Sequence, residues 1–241
     1  MRAPAEAQLL DAWDGAVSAG PTGRALALLA AAGVAPEEAR GWSIGRRDAA
    51  ILELRRAVFG DAMEGVADCP HCGARLEARL SAKSLGPEAT TAARHVTVEQ
   101  DGYRLTARCP DSDDVLLLEA APRGADLPGL LLQRCLLSAE KDGEAISAPA
   151  LPAKLREALE QAMEQADPLG DASLALDCPE CGQAWAAALD LADWTWREVE
   201  LWAGRLLGEV HGLASAYGWT EAEVLALPPR RRARYLELLG Q

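Results

Sequence analysis

Phenylalanine is almost missing from this chain: Phe59 is alone among 241 residues, and much of the aromatic load falls on seven Trp. Ala and Leu dominate instead, a composition that favours helix over strand. Positive charge is short as well, leaving a net charge of −13. That argues against a general nucleic-acid binder, which needs a basic face to release counterions from phosphates, and it keeps copies of the protein apart by repulsion. No run approaches the ~20 apolar residues of a membrane span. The start, "MRAPAEAQLLDAWDG", carries acids where a signal peptide has its apolar core. The expected address is the cytosol, with no membrane partner. No G-x-S-x-G, P-loop or dinucleotide fingerprint occurs either, so neither an enzyme nor a small-molecule substrate is expected. With 49% hydrophobic residues the chain can still bury the core of one large domain or two modest ones.

What is present is a repeat. "ADCPHCGARLEARL" at 67–80 and "LDCPECGQAWAAAL" at 176–189 both read as an acid, Cys-Pro-x-Cys-Gly, then a mostly apolar run. In a reducing compartment such pairs more often bind metal than form disulfides. A two-residue gap lets both thiolates face one ion, and the Gly permits a tight reversal into a strand. Structural zinc takes four ligands at tetrahedral corners, so Cys69, Cys72, Cys178 and Cys181 together make one zinc ribbon. Closing the loop of about a hundred residues between the pairs costs ~4 kcal/mol, well below the roughly 10–16 kcal/mol that structural zinc returns in finger peptides. The rival reading is redox: Cys69-Pro-His-Cys72 matches the tetrad of an oxidising thioredoxin-fold oxidase, where a helix N-terminus depresses the thiol pKa. That fold needs a helix at the first cysteine, and an alternating run stands there. A site without metal is the third reading. Cys109 and Cys135 read as core thiols, and His71, His95 and His211 as surface or helix-face residues.

Around the knuckles, helical periodicity runs through the first sixty residues. Leu10, Trp13 and Val17 share a face, Gly33 stops a second helix, and a third runs from a Ser43 cap through Ile51, Leu54 and Val58 to Gly60. The stretch "SAKSLGPEATTAA" reads as a loop, and Asp101-Gly102 as the turn of a hairpin. "DLPGLLLQRCLL" places Leu127, Leu131, Cys135 and Leu136 on a short helix, and Leu155, Leu159 and Met163 mark another that ends at Asp167-Pro168. The acid pairs Glu37-Glu38 and Asp113-Asp114 fit helix first turns, where the dipole accounts for them. Beyond the second knuckle, Val199, Trp202, Leu206, Val210, Leu213 and Tyr217 form one long stripe. Thr220 and Glu223 make a capping box, and "PPRRRARYLELLGQ" starts a last helix. The expected architecture is mainly α, with a four-cysteine zinc ribbon and a small α+β insertion between its knuckles. Its parts are a helical region at 1–64, the first knuckle and strand at 65–85, the insertion at 86–168, the second knuckle and strand at 169–192, and a helical region at 193–241.

The run "RRRAR" at 230–234 is the one dense cation cluster. It reads as a solvated helix face with Tyr235, Leu236 and Leu239 packed opposite, as a docking patch for an acidic protein surface, or as a nucleic-acid contact. Trp194, Trp196, Tyr217, Trp219 and Tyr235 lie in the same region, and aromatic and Arg residues are enriched in binding hot spots. They therefore read as partner-binding anchors, or as aromatics that pack these helices against the ribbon.

The order of these features, from "RDAAILELRRAVFGDAMEGVADCPHCGARLE" to "WREVELWAGRLLGEVHGLASAYGWTEAEVLALPPRRRARYLELL", resembles the T-even-type phage baseplate hub assembly chaperones and zinc-ribbon-bearing relatives encoded with phage-like contractile injection systems. The tail from about 194 to 239 carries the likeness to the phage chaperones. The cysteine-bearing part resembles only the injection-system relatives. The resemblance implies a non-enzymatic assembly factor for hub or spike proteins, with Trp219, Glu223, Leu225, Arg230, Arg231, Arg232 and Tyr235 in the family-like tail. A lasting baseplate component and a zinc-ribbon adaptor in a nucleic-acid process are the alternatives.

Overall fold

The computed structural model describes residues 3–85 and 95–240. Four helices open the chain: α1 (Glu6–Ala16), α2 (Pro21–Ala31), α3 (Pro36–Arg40) and α4 (Ile44–Phe59). The Ser43 hydroxyl caps α4 by accepting from the Arg46 amide, and Gly60 ends it at φ 89°. In α1 the buried residues are Leu9, Leu10 and Ala16, with Trp13 packed beside them, while Val17 is 40% exposed and leaves the expected stripe.

The chain then forms a hairpin of β1 (Ala62–Asp68) and β2 (Arg75–Ser81), followed by one helical turn, α5 (Ala82–Leu85). The expected loop at 81–93 is thus strand and helix up to Leu85, and its remainder lies outside the described residues. The inserted unit carries β3 (Val96–Gln100), β4 (Tyr103–Ala107), α6 (Ser112–Glu119), α7 (Leu127–Cys135), β5 (Leu136–Lys141), β6 (Glu144–Ala145) and α8 (Ala153–Ala166). Its four strands form one antiparallel sheet in chain order. Asp101-Gly102 makes the expected turn, with φ of 53° and 78°, and Asp142-Gly143 repeats it at 51° and 86°. Leu136 is not helical as expected. It begins β5, because pairing with Ala107 of β4 captures it. Leu105 and Ala107 face Leu155 and Leu159 of α8 and Leu132 of α7, so both helices cover one face of the sheet.

A second hairpin, β7 (Ser173–Asp177) and β8 (Ala184–Ala188), leads into the 27-residue α9 (Leu191–Tyr217). Gly218 stops α9 in the left-handed conformation, and α10 (Glu221–Leu225) and α11 (Pro229–Leu239) follow. Trp196 and Val199 of α9 pack with α1, α2 and α4 in the main core, whereas α10 and α11 cover Val210 and Leu213 at its far end. Helices hold 56% and strands 19% of the described residues, so the fold is mixed α and β and not mainly α. The difference comes from strands on the near side of each knuckle and from the β5–β6 hairpin, whose short, polar runs carry little period-2 signal.

The insertion does not hang from its two ends alone. Pro110 accepts from the Ile44 amide, buried Asp167 accepts from the Gly45 amide, and Glu119 accepts from the Thr22 hydroxyl. A side chain on Gly45 would collide with the Asp167 carboxylate, so glycine is what lets the start of α4 approach that close.

Candidate metal centre

Each Cys-Pro-x-Cys-Gly stretch occupies the tip of a two-stranded hairpin and folds the same way in both. The Cys69 amide donates to the Ala74 carbonyl and the Gly73 amide to the Cys69 carbonyl; Cys178, Gln183 and Gly182 repeat the pattern. Gly73 and Gly182 take φ of 75° and 70°, the reversal that glycine permits without cost. The two tips face each other. Cys69 Sγ lies 3.8 Å from Cys181 Sγ and Cys72 Sγ 3.6 Å from Cys178 Sγ, and all four sulfurs fall within 4.8 Å of one another. No pair is bonded as a disulfide.

A tetrahedral ion with sulfur at about 2.3 Å spaces its ligands about 3.8 Å apart. The two closest pairs match that edge and no pair exceeds 4.8 Å, so the four cysteines lie close enough to hold one metal ion. Cys69 and Cys178 are buried at 2% exposure, while Cys72 and Cys181 form the outer rim. Amides point at the sulfurs. Those of Cys181 and Glu180 draw the Cys178 thiol down to about 7, so a thiolate stands there readily. The Ala74 amide also favours thiolate at Cys72, but its bond to Cys178, burial and the other two thiols outweigh it and push it up to about 12. Four sulfurs sharing so small a volume repel a second negative charge, and a cation removes that repulsion.

The hairpin roots are built from apolar packing. Met63 of β1, Ala82, Leu169 and Leu191 pack with Ala49 and Leu52 of α4. Arg55, 2% exposed, donates to the Gly60 and Ala62 carbonyls and forms a forked pair with Glu198 of α9, pinning the first hairpin to both long helices. The Trp194 indole lies against Gly65, where any side chain would meet it. Among the described residues no backbone hydrogen bond joins the two hairpins. The sulfur cluster is what their tips share.

No protein-family model matches the chain, and neither does any curated protein or solved structure.

His71 is exposed in the first turn and outside the cluster, as its position between the cysteines suggests. Cys109 and Cys135 are buried in the insertion, where desolvation pushes their thiols up to about 11 and about 12. The tail residues divide. Arg232 does not face solvent: it is 2% exposed and donates to Glu6, Glu209 and the Leu227 carbonyl. It leaves the expected docking patch for that reason. Trp196 is likewise a core residue at 1% exposure. Trp219 stacks on Tyr217 at 4.8 Å and meets Tyr235 edge-on at 5.0 Å, Leu225 of α10 packs against α9 and Leu10 of α1, and Glu223 closes the capping box with Thr220. Arg230 and Arg231 stay exposed, as do Leu238 at 48% and Leu239 at 43% at the other end of α11.

Sequence reasoning missed Asp114. It was assigned to the helix dipole, yet it is fully buried and held by Arg108 at 2.6 Å and Arg134 at 2.8 Å. Nothing in its local pattern separates it from Asp113, because the second arginine comes from another helix.

Proposed function

We propose that this chain is a non-enzymatic zinc-binding assembly factor, akin to the baseplate hub assembly chaperones, that serves a phage-like contractile injection system in the cytoplasm. The observation that carries the reading is the closed cluster of four cysteine sulfurs at the meeting point of two hairpins. Four sulfurs at tetrahedral spacing suit zinc, and a site filled by protein ligands leaves no open position for a substrate. The ion's work is then mechanical: it ties Cys69 and Cys72 to Cys178 and Cys181, joining two hairpins that share no sheet.

The partner class rests on the tail. Its sequence order resembles the hub chaperones, and with Arg232 turned inward the groups left for hub or spike proteins are Arg230, Arg231, Tyr217, Leu238 and Leu239. The net charge of −13 weighs against the nucleic-acid adaptor. Co-expression with the hub and spike proteins of the same gene cluster tests the reading. Metal analysis of the purified complex should give one zinc per chain, and charge reversal at Arg230 and Arg231 should release the partner while zinc is retained. Retention of every partner by that variant removes the tail from the interface, and a gel shift at modest salt would favour the adaptor. Truncation at Gly218 is a poorer test, because it uncovers Val210 and Leu213.

A further inference from the structure

The inserted unit has a surface of its own. α7 and α8 lie on the same face of the four-stranded sheet without closing on each other, and a cleft of about 320 Å3 runs between them. Leu127 and Leu131, one turn apart on α7, form one wall. Met163 and Glu160 of α8 form the other, buried Leu159 lies at the floor, and Leu118 of α6 closes an end. Leu127 remains 41% exposed and Pro128 is exposed beside it, so the mouth of the cleft is open to solvent while its floor joins the core.

The rim is acidic. Glu160 lines the cleft, and Glu157 and Glu164, exposed on the same side of α8, extend the row along its length. None of the three is in an ion pair among the described residues. Lys154, the one lysine of α8, is turned to Asp101, and Arg156 binds the Leu151 carbonyl.

We propose that the trough between α7 and α8 docks an amphipathic helix of a protein partner, one with aliphatic anchors flanked by Lys or Arg. The α7 wall presents Leu127 and Leu131 at i, i+4 spacing opposite Met163 of α8, which is the complement of a helix laying its own i, i+4 stripe into a groove. The sheet beneath already carries two helices, and a third fills the slot between them. Glu157, Glu160 and Glu164 set the sign of the partner: a basic flank is drawn in, an acidic one is repelled. The site is far along the chain from the exposed arginines of α11 and does not rest on the reading of the tail.

Amide shift mapping on the full chain, loaded with zinc, tests this with two synthetic helical peptides about five turns long. Both carry the same leucine stripe, one flanked by Lys and the other by Glu, in about 0.15 M salt. The Lys peptide should perturb amides of α7 and α8 and bind about tenfold or more tightly than the Glu peptide. Glu160→Lys combined with Glu164→Lys should invert that preference. Leu127→Asp, at an exposed position that leaves the circular dichroism unchanged, should weaken the Lys peptide about tenfold. Lys-peptide binding that survives Leu127→Asp, or shifts spread over the acidic surface at large, would show bulk charge attraction and overturn the proposal. Equal binding of both peptides, or uptake of a small apolar dye with neither peptide bound, overturns it equally.

Discussion

Replacing Arg232 should damage the fold and not the surface. Its guanidinium makes two bonds to Glu6 at 2.6 and 3.0 Å, one to Glu209 at 2.8 Å and one to the Leu227 carbonyl at 2.9 Å, so it pins α11 to α1 and α9 at once. Removing one partner of a buried ion pair costs ~3–5 kcal/mol, mainly through the charge left behind. Here the Glu6 and Glu209 side chains keep 30% and 35% of their exposure, so water can reach them once the arginine is gone. That brings the expected cost of Arg232→Met to about 2–3 kcal/mol; Met keeps the stem's packing and isolates the lost charge. For a chain of this size the melting temperature should fall by ~2–4 °C per kcal/mol, roughly 4–12 °C in all. Adding Glu6→Gln should recover part of the loss, since replacing a whole buried pair by neutral groups is often nearly free. Arg230→Ala and Arg231→Ala, at exposed positions, should stay within about 0.5 kcal/mol. Thermal melts of the four variants decide it. If Arg232→Met melts with the parent, or if the exposed arginines cost as much, the pin is not what holds α11.

Metal analysis should find one ion per chain. Cys178→Ser should abolish it and lower stability far more than Cys135→Ser, which changes one buried thiol by a few kcal/mol at most. A strong chelator should raise hydrogen exchange in 62–81 and 173–188 while α4 and β4 stay protected, because the insertion is also docked through Pro110, Asp167 and Glu119; protection lost everywhere at once would mean that the ion holds the whole fold. Gly65→Val should cost ~1–3 kcal/mol by overpacking against Trp194, and Trp194→Ala should suppress much of that, as a double-mutant cycle would measure. Asp114 is pushed up by burial, but its bonds from Arg108, the Asp111 amide and Arg134 outweigh this and hold its carboxyl near 2. A depressed carboxylate adds stability that is complete above the ordinary Asp value and lost as pH falls toward the folded one. Asp114→Asn should therefore cost about 2 kcal/mol or more at pH 6, and the gap to the parent in denaturant titrations should narrow between about pH 4 and pH 2.

How the chain divides between what was legible and what was not follows the range of the interactions. The two Cys-Pro-x-Cys-Gly knuckles, the Ser43 cap, the Thr220–Glu223 capping box, the Asp101-Gly102 turn and the Gly218 stop each depend on residues within one turn, so local sequence carries them. The same rule covers Asp142-Gly143, and applying it again would have revealed the β5–β6 hairpin. Stripe positions were readable to within a residue: Leu155, Leu159, Val199, Leu206 and Leu213 are buried as their spacing requires. By itself, then, the sequence determined most of the helices and turns and the identity of the four sulfurs. Tertiary structure alone decided that these sulfurs meet, since Cys72 and Cys178 are 106 positions apart and their spacing depends on where α4 and α9 root the hairpins. It also decided which charges are surface and which are core. Arg232 looks like Arg231 in any local window, and only Glu6, 226 positions away, turns it inward. Burying a guanidinium is unfavourable until carboxylates reach it from distant elements, so its role exists only once those elements have packed.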